Sequence, residues 1–158
     1  MVEAKRRRHI VRFALVLVGL VTVPAAVPAQ SSEFLDRILA EDELRLGSAL
    51  YLAITASYAL QDQGYDLDVI PSLRRVQRRV GLDSEAPITL GQYAFILQVF
   101  FDLPSGVFSR LIPGPRYATR DLAHADIIRG RAYPAMPLSG RRGLRIIGRA
   151  LAYIEGDL

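Results

Sequence analysis

No cysteine occurs anywhere in the 158 residues, which excludes disulfides, thiolate metal ligands and the lipid attachment of a bacterial lipoprotein. Histidine is nearly as scarce: beyond the first thirty residues only His124 remains, too few for an imidazole metal centre. Carboxylates alone can hold calcium, but no loop with alternating acidic ligands is present. No segment alternates convincingly as a strand, so no glycine loop follows one to cradle a phosphate. No cofactor and no metal are therefore expected.

A basic surplus is present on paper but not where it would act. The chain carries 20 basic and 16 acidic residues. Lys5, Arg6, Arg7, Arg8 and Arg12 precede an apolar run from Phe13 to Val23, and Pro24 to Gln30 supply a zone of small residues. That order is the signature of a secretory signal peptide over residues 1–29, with cleavage after Ala29 and with Val27 and Ala29 at the −3 and −1 positions. The run of about 11 apolar residues is shorter than the roughly 20 needed to cross a bilayer, so membrane contact is expected only through the signal before cleavage. Arg6-Arg7 lacks the continuation of a twin-arginine signal, which favours general secretion. Once the leader's five basic residues and one acidic residue are set aside, fifteen of each remain. The remainder is neutral, and nucleic acid loses its electrostatic basis as a partner. All fifteen remaining cations are arginine, a residue suited to fixed bidentate contacts.

Residues 30–158 predict one helical domain with a core of ordinary size. Ser31 and Ser32 are placed to cap a first helix whose apolar face is Phe34, Leu35, Ile38 and Leu39. Leu46 to Leu60 and Leu90 to Leu103 are apolar nearly all round, but each is about 15 residues long and interrupted by Thr55, Ser57, Gln92 or Gln98, which predicts buried helices and not spans. Between them Pro71 sits in a first turn, with Leu73, Val76 and Val80 on one side and Arg74, Arg75, Arg78 and Arg79 on the other, an amphipathic helix. A Pro/Gly-rich stretch from Pro104 to Pro115 comes next, then a helix over Tyr117 to Ile128, a loop with Pro134 and Pro137, and a last helix from Ser139 to about Ile154.

Three segments align: Glu43-Leu44-Arg45-Leu46-Gly47, Pro87-Ile88-Thr89-Leu90-Gly91 and Pro137-Leu138-Ser139-Gly140-Arg141. Each opens an apolar helix, at intervals of 44 and 50 residues, which indicates one repeated supersecondary unit. Proline ahead of an apolar residue favours extended geometry, and the hydroxyl after it can accept a bond from an orphan helix amide. With Asp126-Ile127-Ile128-Arg129-Gly130 ahead of the third copy and Ile146-Ile147-Gly148-Arg149-Ala150-Leu151 at its helix end, residues 43 to 154 resemble the S-layer homology (SLH) domain. In that family Pro-Ile-Thr-Arg-Ala-Glu opens a long helix in each of three repeats, the helices pack about a pseudo-threefold, and grooves between repeats hold an anionic cell-wall polysaccharide. The family's arginine and glutamate are absent from all three copies here, so the resemblance implies the scaffold more strongly than the ligand. The expected fold is thus all-α, a compact bundle of three helix-loop-helix repeats at about 33–82, 83–130 and 131–158. An unrelated irregular helical bundle would satisfy the same burial pattern.

Candidate chemistry reduces to charge. His124 lies between Asp121 and Asp126, yet no serine stands in a Gly-x-Ser-x-Gly context, and a surface histidine beside a carboxylate is the expectation. Glu41, Asp42 and Glu43 precede a helix and favour its dipole. The quartet Arg74, Arg75, Arg78 and Arg79 is either a solvated face or a site for an anionic glycan, a lipid head group or an acidic protein. Arg141, Arg142 and Arg145 open the last helix, where the dipole disfavours cations, and so point to an anionic partner, either a polymer or an acidic neighbour from another repeat. Thr89 and Gln92, at polar positions of the SLH motif, complete the candidate ligand contacts. The reading is a non-catalytic, exported module of the bacterial periplasm or cell envelope that binds anionic wall polymer or an envelope protein. The alternative is a small periplasmic assembly protein that docks on a larger complex without binding glycan.

Overall fold

Helices form where the sequence supplies apolar faces, with proline confined to their first turns, and two of them stop at positive-φ glycines, Gly81 and Gly156. The computed structural model describes residues 27–81 and 83–156, so the signal-peptide assignment lies, apart from Val27–Ala29, outside the described residues. The chain divides into a unit Met1–Phe34 and a unit Leu35–Leu158. Of the first, residues 27–34 are described, and they are helical; the second holds the described core. The described helices are α1 (Val27–Ala40), α2 (Leu46–Asp62), α3 (Val69–Val80), α4 (Leu90–Phe100), α5 (Val107–Leu111), α6 (Pro115–His124) and α7 (Gly140–Glu155). The fold is all-α, and among the described residues the only extended pairings are isolated antiparallel bridges, Arg45 with Pro87 and Thr89 with Pro137. No described helix is long and apolar enough to cross a membrane.

Those bridges are the centre of the architecture. The first amide of each long helix has no intrahelical acceptor, and here each finds a carbonyl in or beside another copy of the aligned segment. Leu46 N–H donates to Ala86 O at 2.9 Å, Leu90 N–H to Met136 O at 2.9 Å, and Gly140 N–H to Glu41 O at 3.0 Å. The first copy therefore leans on the second, the second on the third and the third on the first. Inside this circuit the equivalent residues Leu44, Ile88 and Leu138 are all buried, with Leu44 N–H on Leu138 O and Ile88 N–H on Leu44 O. The helices that leave it, α2, α4 and α7, all touch one another.

Close backbone approach explains the glycines next to the caps. A Cβ on Gly91 would stand 2.8 Å from Pro134 O, and one on Gly140 would stand 1.7 Å from Ile38 O. α4 is the innermost helix, buried at Leu90, Gly91, residues 93–97 and Phe100, and it packs on α2, α3, α6 and α7. Tyr93 crosses from α4 to α7, where its buried hydroxyl donates to Gly143 O at 3.1 Å; burial pushes its pKa far up, so it stays a neutral donor. α3 docks through Ser72, whose hydroxyl donates to Val99 O at 3.0 Å.

Several expectations need correcting. α2 is not enclosed on every side, because it exposes Tyr51, Thr55 and Tyr58; its neighbours α4 and α7 cover one face. Ser31 and Ser32 do not cap α1, which already begins at Val27 with Pro28 in its first turn, a position proline tolerates. Pro28 and Gln30, on either side of Ala29, are thus helical. The helix expected to reach Ile128 ends at His124, because Asp126 adopts a left-handed conformation, and Ile127 and Ile128 plug the core from a loop. α5 lies within the segment that reads in sequence as a Pro/Gly loop.

Candidate functional site

Arginine placement is what the fold adds to the sequence. On α7, Arg145 and Arg149 stand three and seven residues beyond Arg142, so the three share a face. The segment before α7 brings Arg129 and Arg131 to the same place, and the five guanidinium-bearing residues line a cleft of about 300 Å³ together with Met136 and Ile146. The cleft lies between the end of the second aligned unit and the helix of the third.

Its geometry is partly built and partly open. Arg142 is half-buried, donating to Arg131 O and, at 3.3 Å, to Met136 Sδ. Burial first, then the positive charges of Arg145 and Arg149, lowers the pKa of Arg142 from its ordinary value. Arg149 donates to Ile127 O at 3.2 Å. Arg129 pairs with Asp126 at 2.6 Å, the one carboxylate among the described residues that is bonded to any of the five. Arg142 is thus the member of the group whose charge is disfavoured by its neighbours, while Arg129 is stabilised by Asp126.

Arg141 lies elsewhere. Its Nε donates at 3.4 Å to Leu39 O, the carbonyl end of α1, where a cation is favourable. The disfavoured position at the start of α7 is thus offset by a favoured one at the end of α1.

A second basic surface sits on α3. Arg75, Arg78 and Arg79 line a groove of about 500 Å³ floored by Phe95 and Val99 and closed by Pro113. Arg74 is outside it, contributing its carbonyl to Arg78 Nε at 3.3 Å. Arg75 also borders a smaller cleft with Asp66, Asp68 and Asp102.

Thr89 and Gln92 have an internal task. Thr89 Oγ1 accepts from Gln92 N–H at 3.3 Å, and Gln92 Oε1 accepts from Thr89 N–H at 2.8 Å, a reciprocal capping box at the start of α4. Neither Arg45 nor Ser139 caps its helix with a side chain. In the first copy Glu41 substitutes: its carboxylate accepts from Arg45 N–H at 3.0 Å and from Ser48 Oγ at 2.7 Å. It also borders a groove of about 580 Å³ with Asp42, Glu43 and Glu85, in which Arg45 pairs with Glu85.

His124 is exposed at the end of α6, and the carboxylates flanking it are engaged by other donors. Asp126 holds Arg129, while Asp121 Oδ2 accepts from Gly106 N–H at 3.0 Å, Gln98 Nε2 at 3.3 Å and Ser109 Oγ. Partial burial raises the Asp121 pKa, but the bonds from Ser109, Gly106 and Gln98 and the charge of Arg120 outweigh it and leave it below the ordinary value. No group of histidine and carboxylate side chains suited to a metal occurs among the described residues.

Sequence reasoning missed Arg129, Arg131 and Arg149. Arg149 was findable, since it continues the Arg142–Arg145 face by one turn. Arg129 and Arg131 were not, because a loop of irregular path carries them there. Compared with protein-family models, curated proteins and solved structures, the chain matches none.

Proposed function

We propose that this protein is a non-catalytic binding module of the bacterial cell envelope, and that its ligand is an anionic polymer held in the five-arginine cleft. The observation that carries the proposal is the convergence of Arg129, Arg131, Arg142, Arg145 and Arg149 on one cavity against a single paired acid. Guanidinium groups bind phosphate and carboxylate in bidentate fashion, and a row of them suits a repeating anion better than an isolated one. The cleft also lies between two of the aligned units, where the SLH resemblance places a polysaccharide.

Co-sedimentation with isolated cell wall tests this. The purified protein pellets at low salt and is released as salt rises, because the contacts are ionic. R142A/R145A weakens binding by roughly 100-fold, since a charge-assisted hydrogen bond is worth about 1.5–3 kcal/mol. Failure of the wild type to pellet, or indifference to both substitutions, overturns the polymer reading and leaves docking on a larger protein complex.

A further inference from the structure

α5 buries the wrong residues for an ordinary surface helix. Its one serine, Ser109, is 5% exposed and donates its hydroxyl to Asp121, whereas Val107, Phe108, Leu111 and the adjoining Ile112 are 57–73% exposed. Asp121 fixes this orientation, because the Gly106 amide and Gln98 side chain bond to the same carboxylate oxygen. Phe108 is braced from one side by Tyr117, whose ring stacks on it with centroids 6.0 Å apart. The apolar side chains are thus held outward by a polar clamp and leave more than half of their surface in water.

The segment that carries this apolar tip is itself basic, although Asp102 and the clamping Asp121 flank it. Residues 103–120 contain Arg110, Arg116 and Arg120 and no acidic residue. Pro113, directly after Ile112, lines the groove rimmed by Arg75, Arg78 and Arg79, so the chain passes from the apolar tip to the edge of that basic groove. We infer that this face is a peripheral membrane-docking surface, in which Phe108, Leu111 and Ile112 enter the outer part of a bilayer while Arg75, Arg78 and Arg79 take the phosphates of anionic lipids. Large apolar side chains that protrude from a short, clamped helix suit a fluid that closes around them. Arginine stems cover apolar surface and send their charge to the head groups, which is the arrangement at a membrane interface.

Vesicle flotation decides it, using the purified chain in the N-terminal form that cells accumulate. The wild type floats with vesicles of phosphatidylcholine and phosphatidylglycerol and not with phosphatidylcholine alone. F108S/L111S, which alters exposed side chains only, lowers the partition coefficient at least about tenfold through lost apolar burial. R75Q/R78Q/R79Q lowers it on the order of 100-fold, at about one kcal/mol per cation near an anionic surface. Circular dichroism of each variant establishes that the fold is retained. No flotation of the wild type, equal flotation on neutral vesicles, or unchanged binding of F108S/L111S overturns the inference. Loss of a dimer in F108S/L111S without vesicle binding by the wild type would overturn it too, in favour of a second copy on this face.

Discussion

Gly140 shows how much one missing methyl group can matter. Its Cα faces the carbonyl oxygen of Ile38 so closely that a Cβ would fall 1.7 Å from it, while on the same helix a Cβ at Gly148 would meet nothing within 4 Å. G140A therefore has to move α1 and α7 apart, and overpacking of this kind costs about 1–3 kcal/mol or more. G148A does the reverse, gaining up to about 1 kcal/mol of helix propensity. Urea unfolding of the two variants checks the pair: the midpoint falls for G140A and rises for G148A. Tyr93 makes a related point with a polar group, since its hydroxyl survives full burial by finding Gly143 O.

The three long helices start alike in sequence but are capped by different means. α4 uses the Thr89–Gln92 box, α2 borrows Glu41 from four residues before Arg45, and Ser139 makes no side-chain bond to α7. T89A therefore lowers stability by about 1 kcal/mol, whereas S139A stays within about 0.5 kcal/mol of wild type. Thermal unfolding followed by circular dichroism distinguishes them, and equal losses would contradict the capping geometry. α5 illustrates a different control, in which a carboxylate on α6 dictates which side of a five-residue helix meets water.

The circuit of amides joins residues far apart in the chain, with Leu44 on Leu138 and Gly140 on Glu41. Linear repeat arrays touch nearest neighbours only and lose cooperativity as they lengthen. Here the first and third copies touch as well, so removing any one strands the capping amides of another. The unit from Leu35 onward should accordingly unfold in a single transition, with far-ultraviolet and tyrosine near-ultraviolet signals coinciding. Truncation after Gly130 should leave no cooperative transition at all, because Leu90, Gly91 and Leu44 then lose the carbonyls of Met136, Pro134 and Leu138. A folded residual core in that truncation would refute the closed circuit.

Helix content, the positions of α2, α3, α4 and α7, and the alignment of the three opening segments were legible from periodicity, proline and glycine alone, because those are local properties of the backbone. The orientation of Arg75, Arg78 and Arg79 away from Val76 was legible for the same reason. Where Arg141 and Arg142 part company, why Thr89 and Gln92 satisfy each other, and how Arg129 and Arg131 reach the α7 face depended on chain paths through loops. So did α5, which lies in a stretch that reads as a Pro/Gly loop and whose apolar residues face solvent once Asp121 has claimed Ser109. Local pattern sets which helices form; which charges meet across them is settled by backbone carbonyls and carboxylates contributed from elsewhere in the chain, and a one-dimensional pattern carries no record of that.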